Sequence, residues 1–173
     1  MAGTRLSVTD HAVLGVLVEH PTHGFAIAKE LGAAGDLGRI LTVRPTETYR
    51  SLDRLVAEGL AEPARTEPGD SGPRRIVHRV TPAGRRRLRR WLGEPVSHVR
   101  DLRIEFQLKL ALLDRTNRSP LGLIVAQREA LAPTIGALDA LGPIDHVELW
   151  RHHVAKAAGE YLDDLSRRYG QST

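Results

Sequence analysis

Cysteine is absent from the chain. This excludes disulfides, thiolate metal sites and a cysteine nucleophile, and it leaves the fold to hold itself by packing in a compartment that can be reducing. No stretch approaches the roughly 18 to 20 apolar residues that a membrane-spanning helix needs. The opening MAGTRLSVTD carries no apolar run of the secretory kind. Both absences predict a soluble, cytoplasmic protein with no membrane partner. There is no internal repeat or low-complexity tract, and no HExxH, phosphate-cradling glycine loop or nucleophile elbow, the patterns that place metal, phosphate or serine chemistry. No catalytic residue, metal ligand or cofactor is therefore expected. His146, His152 and His153, with Asp145 or Glu148, keep a metal-sensing role open as an alternative to plain surface histidines.

Of the 173 residues, 41% are hydrophobic, enough to fill the core of one domain or of a small domain with an appendage. The net charge of +4 is unevenly placed. Residues 1–100 hold 16 Lys and Arg against 11 Asp and Glu, a balance of +5, whereas residues 101–173 hold 9 against 10, a balance of −1. Between Arg74 and Arg90 there are eight arginines and no acid. Such a density repels itself unless it faces a polyanion or is spread over two elements. Nucleic acid is the obvious polyanion, and a solvated basic face is the alternative.

The patterning predicts a mostly helical protein. Ser7 to His20 reads as a first helix, with Ser7 and Asp10 placed like a capping box and Pro21 ending the run. Pro21 to Gly24 reads as a turn, and Phe25 to Leu31 as a second helix with Phe25, Ala28 and Leu31 on one stripe. A third helix opens at Pro45 and closes at Gly59, with Tyr49, Leu52, Leu55 and Val56 on one face and Glu47, Arg50 and Arg54 opposite. Leu60 to Arg65 and Arg75 to Val80 read as two strands about a turn rich in Pro, Gly and Asp, forming a hairpin. Thr81 and Pro82 open a fourth helix that buries Leu88, Trp91 and Leu92. Three short helices and a hairpin make a winged helix-turn-helix, assigned to residues 1–93. Residues 94–173 are read as an all-helical region with turns at Asn117 to Pro120 and at Gly142-Pro143, the last helix starting at Pro143.

In that last helix Val147, Trp150, Val154, Ala157, Tyr161 and Leu165 recur at steps of three and four residues. A stripe this regular predicts burial against a second copy of the chain, so a homodimer is expected. Trp150 and Tyr161 alternatively wall a pocket for a small aromatic or hydrophobic effector.

Four segments carry a closer likeness: AVLGVLVEHPTHGFAIAKEL at 12–31, RPTETYRSLDRLVAEGL at 44–60, GPRRIVHRVTPAGRRRLRRWL at 72–92 and RDLRIEFQLKLALL at 100–113. Together they resemble the PadR family of bacterial transcriptional regulators, in its longer type with a helical C-terminal part. The resemblance implies a dimeric winged-helix repressor acting on promoter DNA, with the third helix in the major groove and the wing beside the neighbouring backbone. This chain departs from the family pattern at Arg44, before the helix-opening proline, and at Thr46-Glu47-Thr48 after it.

With the third helix docked in this way, Thr46, Glu47, Thr48, Arg50 and Ser51 are the candidates for base edges, and Arg50 would favour guanine through a bidentate pair. Glu47 has a second reading, complementing the helix dipole in the first turn. Arg44, Tyr49 and Arg54 are assigned to phosphates, and Arg74, Arg75 and Arg79 of the wing to the backbone or to a narrow minor groove. A winged helix that binds protein instead of DNA remains the alternative from a different class.

Overall fold

The computed structural model describes residues 5–68, 74–141 and 145–171. It divides into two compact units, the first ending at Trp91 and the second starting at Leu92. The winged-helix reading of the first holds, as does the helical reading of the second.

In the first unit α1 (Val8–Glu19) is capped as the sequence predicts. The Ser7 hydroxyl accepts from the Asp10 amide at 3.1 Å and the Asp10 carboxylate accepts from the Ser7 amide at 2.8 Å. Its Ala12, Val13, Leu14, Val16 and Leu17 are all buried, so this helix is the centre of the unit and not an amphipathic cover. Residues 21–24 are not a simple turn. Thr22–His23 forms β1, and the His23 imidazole then caps α2 (Gly24–Glu30) by accepting from the Ala26 amide at 3.1 Å. Phe25 does not join the buried stripe of α2. Ile27, Ala28 and Leu31 are inside, whereas Phe25 is 59% exposed.

A short 3-10 turn at Leu37–Arg39 leads to α3 (Pro45–Ala57). Gly59, at φ +66°, ends that helix. The Leu60 amide returns to the Leu55 carbonyl at 2.8 Å and the Gly59 amide to Val56 at 3.0 Å, a Schellman cap that needs the left-handed residue glycine supplies cheaply. The wing follows as β2 (Ala61–Glu67) and β3 (Arg75–Val80). The sheet order is β1-β3-β2, all antiparallel, with Ala61 opposite Val80 and a register irregularity between Pro63 and Arg65. The turn joining the strands, including Pro73, lies outside the described residues. Then α4 (Pro82–Gly93) begins, with the Thr81 hydroxyl accepting from the Gly84 amide at 3.1 Å. It buries Leu88, Trp91 and Leu92 as expected, and the Trp91 ring stacks on His11 of α1 at 4.2 Å and 8°.

The second unit contains a 3-10 turn at Val99–Arg103, then α5 (Glu105–Arg115), α6 (Leu121–Leu141) and α7 (His146–Gly170). Asn117, at φ 52°, marks the expected turn between α5 and α6. The one expected at Gly142-Pro143 lies outside the described residues. The Asp145 carboxylate caps α7 by accepting from Val147 and Glu148 amides, each at 2.9 Å. Two buried polar side chains fix the segment leading into α5. Gln127 exchanges both of its amide hydrogen bonds with the Val96 backbone, at 2.7 and 2.9 Å, and Lys109 donates to the Glu94 carbonyl at 2.7 Å while pairing with Glu105 at 2.9 Å. Among the described residues no helix is long and apolar enough to cross a membrane.

One contact decides how α3 sits on α1. Asp10 is fully buried, and the Arg54 guanidinium donates to its Oδ2 at 2.8 Å. Burial alone would raise the pKa of this carboxyl. Hydrogen bonds from Ser7, Ser51 and Arg54 outweigh that and hold it below its ordinary value of 3.8. Asp10→Ala removes the cap of one helix and the tether of another, and should lower unfolding stability by about 2 kcal/mol in urea titrations at neutral pH. His78 of β3 is half-buried. Burial lowers its pKa below 6.5, against a hydrogen bond at Ile76 and the charge of Asp53. The unfolded chain therefore binds the proton more readily, so the stability contributed by neutral His78 is present above about pH 6.5 and is lost as pH falls through and below it. Urea titrations at pH 7.5 and 5.5 should show this loss, smaller in His78→Gln.

Candidate nucleic-acid interface

Arg44 stands before Pro45 in an extended conformation, and its carbonyl accepts from the Glu47 and Thr48 amides at 3.0 and 3.1 Å. Its side chain makes no cap hydrogen bond. From this start the helix turns Thr46, Glu47, Tyr49, Arg50 and Asp53 outward, while Ser51, Leu52 and Leu55 face the core. Two of the residues expected at base edges are thus misassigned. Thr48 has no exposed surface, and its hydroxyl turns back toward the Arg44 carbonyl at 3.4 Å. Ser51 is buried as well and hydrogen-bonds to Asp10. Small hydroxylated side chains satisfy themselves on neighbouring backbone, so their polarity does not keep them on the outer face.

Arg54 is half-exposed, yet its guanidinium is committed to Asp10, which makes it a tether of the helix before anything else. The outer face therefore presents Arg44 and Arg50 together with two acids, Glu47 and Asp53. Tyr49 is 45% exposed, and its ring lies on the backbone of Gly24. A Cβ at position 24 would come within 2.4 Å of the Tyr49 ring, so glycine at the start of α2 is what lets the tyrosine of α3 lie flat there.

On the wing, Arg74 is exposed, and Arg79 projects outward with its Nε donating to Glu62 across the strands at 2.7 Å. The guanidinium of Arg75 sits over the Phe25 ring at 5.6 Å. Phe25 is the residue that sequence reasoning missed, because its spacing fits a core stripe equally well. Beyond the wing, Arg86, Arg89 and Arg90 of α4 project outward, while Arg85 reaches the Val18 carbonyl at 3.4 Å.

In the second unit the stripe predicted on α7 is divided. Ala155, Ala158 and Leu162 form its buried face, Val154, Tyr161 and Leu165 are half-buried, and Val147, Ala157 and Trp150 are exposed, Trp150 to 70%. The Tyr161 hydroxyl accepts from the Gln107 amide at 2.7 Å. Among the described residues no group of three or more His, Asp or Glu is arranged to hold a metal ion.

The sequence pattern of the PadR-like family of transcriptional regulators matches residues 13–90, which takes in the second half of α1, then α2, α3, the wing strands and most of α4. Over those residues the chain is similar to the PadR-like family. No curated protein matches it by sequence. Among solved structures it is similar to Bacillus subtilis PadR in complex with operator DNA, at 18% identity and a TM-score of 0.50 over 96% of this chain and 98% of that one. At that identity the likeness shows a shared fold. It is also similar to Bacillus subtilis PadR in complex with p-coumaric acid (17% identity, TM-score 0.46, 95% and 99% coverage) and to smu.1604c from Streptococcus mutans UA159 (18%, 0.46, 90% and 96%).

The outward turn of α3 is open to a direct check. Thr48→Arg places a charge where no water reaches and should lower stability by about 3 kcal/mol, whereas Thr46→Arg should leave the melting temperature unchanged within about 1 °C. Thermal melts of the two variants side by side separate the inner threonine from the outer one.

Proposed function

We propose that the chain is a sequence-specific DNA-binding transcriptional repressor that acts in the cytoplasm as a homodimer, by binding and not by catalysis. The observation that carries this reading is the shared exposure of the α3 outer face and the wing. Arg44, Thr46 and Arg50 are exposed at the cap and on the outer face of the helix, Arg74 and Arg79 are exposed on the wing, and Arg75 is half-buried between them in sequence. A helix offering its first two turns to a groove, with cations flanking it, suits duplex DNA, where arginines on phosphates set register and the helix start reads bases. A structural neighbour that was crystallised with operator DNA supports the same use of this fold. Arg50 is assigned to base reading, Arg44, Tyr49 and the wing arginines to the backbone, and Glu47 to either a cytosine amino group or the helix end. Thr48 takes no part.

Dimerisation is assigned to α7. Val147, Leu149 and Trp150 expose apolar surface at the start of this helix, and a second copy is the natural cover. Trp150 also lines a cavity of about 310 Å³ with His98, Arg100 and Arg151. This is the site we assign to a small aromatic or hydrophobic effector.

Selection of bound duplexes from a random pool should recover a two-fold symmetric site. Affinity for it should fall steeply with added salt. Arg50→Ala should cost about 1–3 kcal/mol and relax preference at one base pair, while Arg75→Ala should weaken all sequences about equally. Absence of binding at low salt in an anisotropy titration refutes the proposal. For the dimer, sedimentation at micromolar concentration should return twice the 19.0 kDa chain mass. A monomer there overturns that part alone.

A further inference from the structure

We infer that Phe25 is a contact residue of the DNA interface: its exposed ring packs on apolar carbon of the duplex, the C5-methyl of a thymine or the carbons of a deoxyribose. The inference rests on the DNA-binding reading above and adds to it a contact that carries no charge.

Phe25 is the second residue of α2 and is 59% exposed. Apolar residues scattered singly over a surface need no explanation. The distribution here does. Among the described residues of the first unit, the large apolar side chains left exposed are Phe25, Tyr49 and Ile76, while α1, β2 and α4 expose none. Tyr49 belongs to the outer face of α3, and its ring lies on Gly24, the residue before Phe25. Thr22–His23, immediately before Gly24, pairs with His78 and Val77 of β3, the strand that also carries Ile76. These two ties place the start of α2 between α3 and the wing. The Arg75 guanidinium stands over the Phe25 ring at 5.6 Å, and the 59% exposure is what that contact leaves open.

A phenyl ring has no hydrogen-bonding group to offer a phosphate, and gains only from carbon surface that takes it out of water. B-DNA presents such surface in two places, the thymine methyl in the major groove and the sugars along its edge. The exposed ring is continuous, through Gly24 and Tyr49, with the α3 face assigned to that groove. A duplex seated on the start of α3 is therefore the body at hand to cover it. Apolar contact displaces water and releases no counterions. It adds affinity that salt does not erode, in contrast to the arginine contacts around it.

The test is the salt dependence of binding by the full chain to the operator recovered by selection. Arg44→Ala, which removes an assigned phosphate contact, should flatten the slope of log affinity against log salt by about 0.9. Phe25→Ala should instead lower affinity about five- to tenfold at every salt concentration and leave the slope unchanged, with Phe25→Leu losing less than about threefold. Because position 25 is exposed, both variants should melt with the wild type. Replacing operator thymines by deoxyuridine one at a time separates the two sources of carbon. A methyl contact gives one position where uracil weakens the wild type and leaves Phe25→Ala unaffected, whereas a sugar contact gives none. A Phe25→Ala protein that keeps wild-type affinity, or loses it together with slope, overturns the inference while the DNA reading stands. So does one that binds DNA unchanged but sediments as a smaller species, which makes the patch a contact between copies. A wild type that binds no duplex at low salt removes both readings.

Discussion

A single buried carboxylate organises the winged-helix unit. Asp10 closes the start of α1 by accepting from Ser7, and with its remaining capacity takes Ser51 and Arg54 from α3. A charge with no exposed surface is tolerable only with donors close by, and here the Ser7 amide and the Arg54 guanidinium converge on Oδ2. The same donors fix which side of α3 faces inward. Once Ser51, Leu52 and Leu55 are pinned against α1, the 3.6-residue period leaves Thr46, Arg50 and Asp53 to face out. Orientation of the outer face is thus set from inside the unit, by a contact between residues 44 apart in sequence.

That distance explains what the sequence reveals and what it hides. The Ser7 and Asp10 pairing is local and legible, as are Pro45 at the start of α3, Gly59 at its end and Thr81-Pro82 at the head of α4, since each meets a backbone requirement within a turn of itself. Arg54 looks like a free cation because its partner is remote. Thr48 and Ser51 look like surface residues because polarity is what a sequence displays, whereas the structure satisfies their hydroxyls internally. Phe25 errs the other way, as an apolar residue at core spacing whose real neighbours are Arg75 and the Gly24–Tyr49 contact. Thr22–His23 reads as a turn because two residues give no period, and only pairing with β3 makes them a strand.

The second unit follows a different logic. Its core of Phe106, Leu108, Leu112, Ile124, Leu131 and Leu162 is apolar, and its polar investment is concentrated on the approach to α5, where Gln127 and Lys109 grip Val96 and Glu94. Backbone groups of a connecting segment would ordinarily be left to water. Here they are held by side chains of two helices, so the segment from Glu94 to Val96 moves with the second unit as one body. The unevenness of α7 fits the same division, with alanines and Leu162 inward and larger apolar side chains outward.

The contact between Gly24 and Tyr49 reaches into how such a protein can change over time. The two positions share one small volume, so position 24 cannot gain a side chain while the Tyr49 ring stays where it is. A side chain gained at 24 forces the ring away, and a smaller residue at 49 removes the reason for glycine. Descendants of this sequence that gain a side chain at 24 should therefore carry an exchange at 49 as well, whereas exchanges at 49 that shorten the side chain can come first.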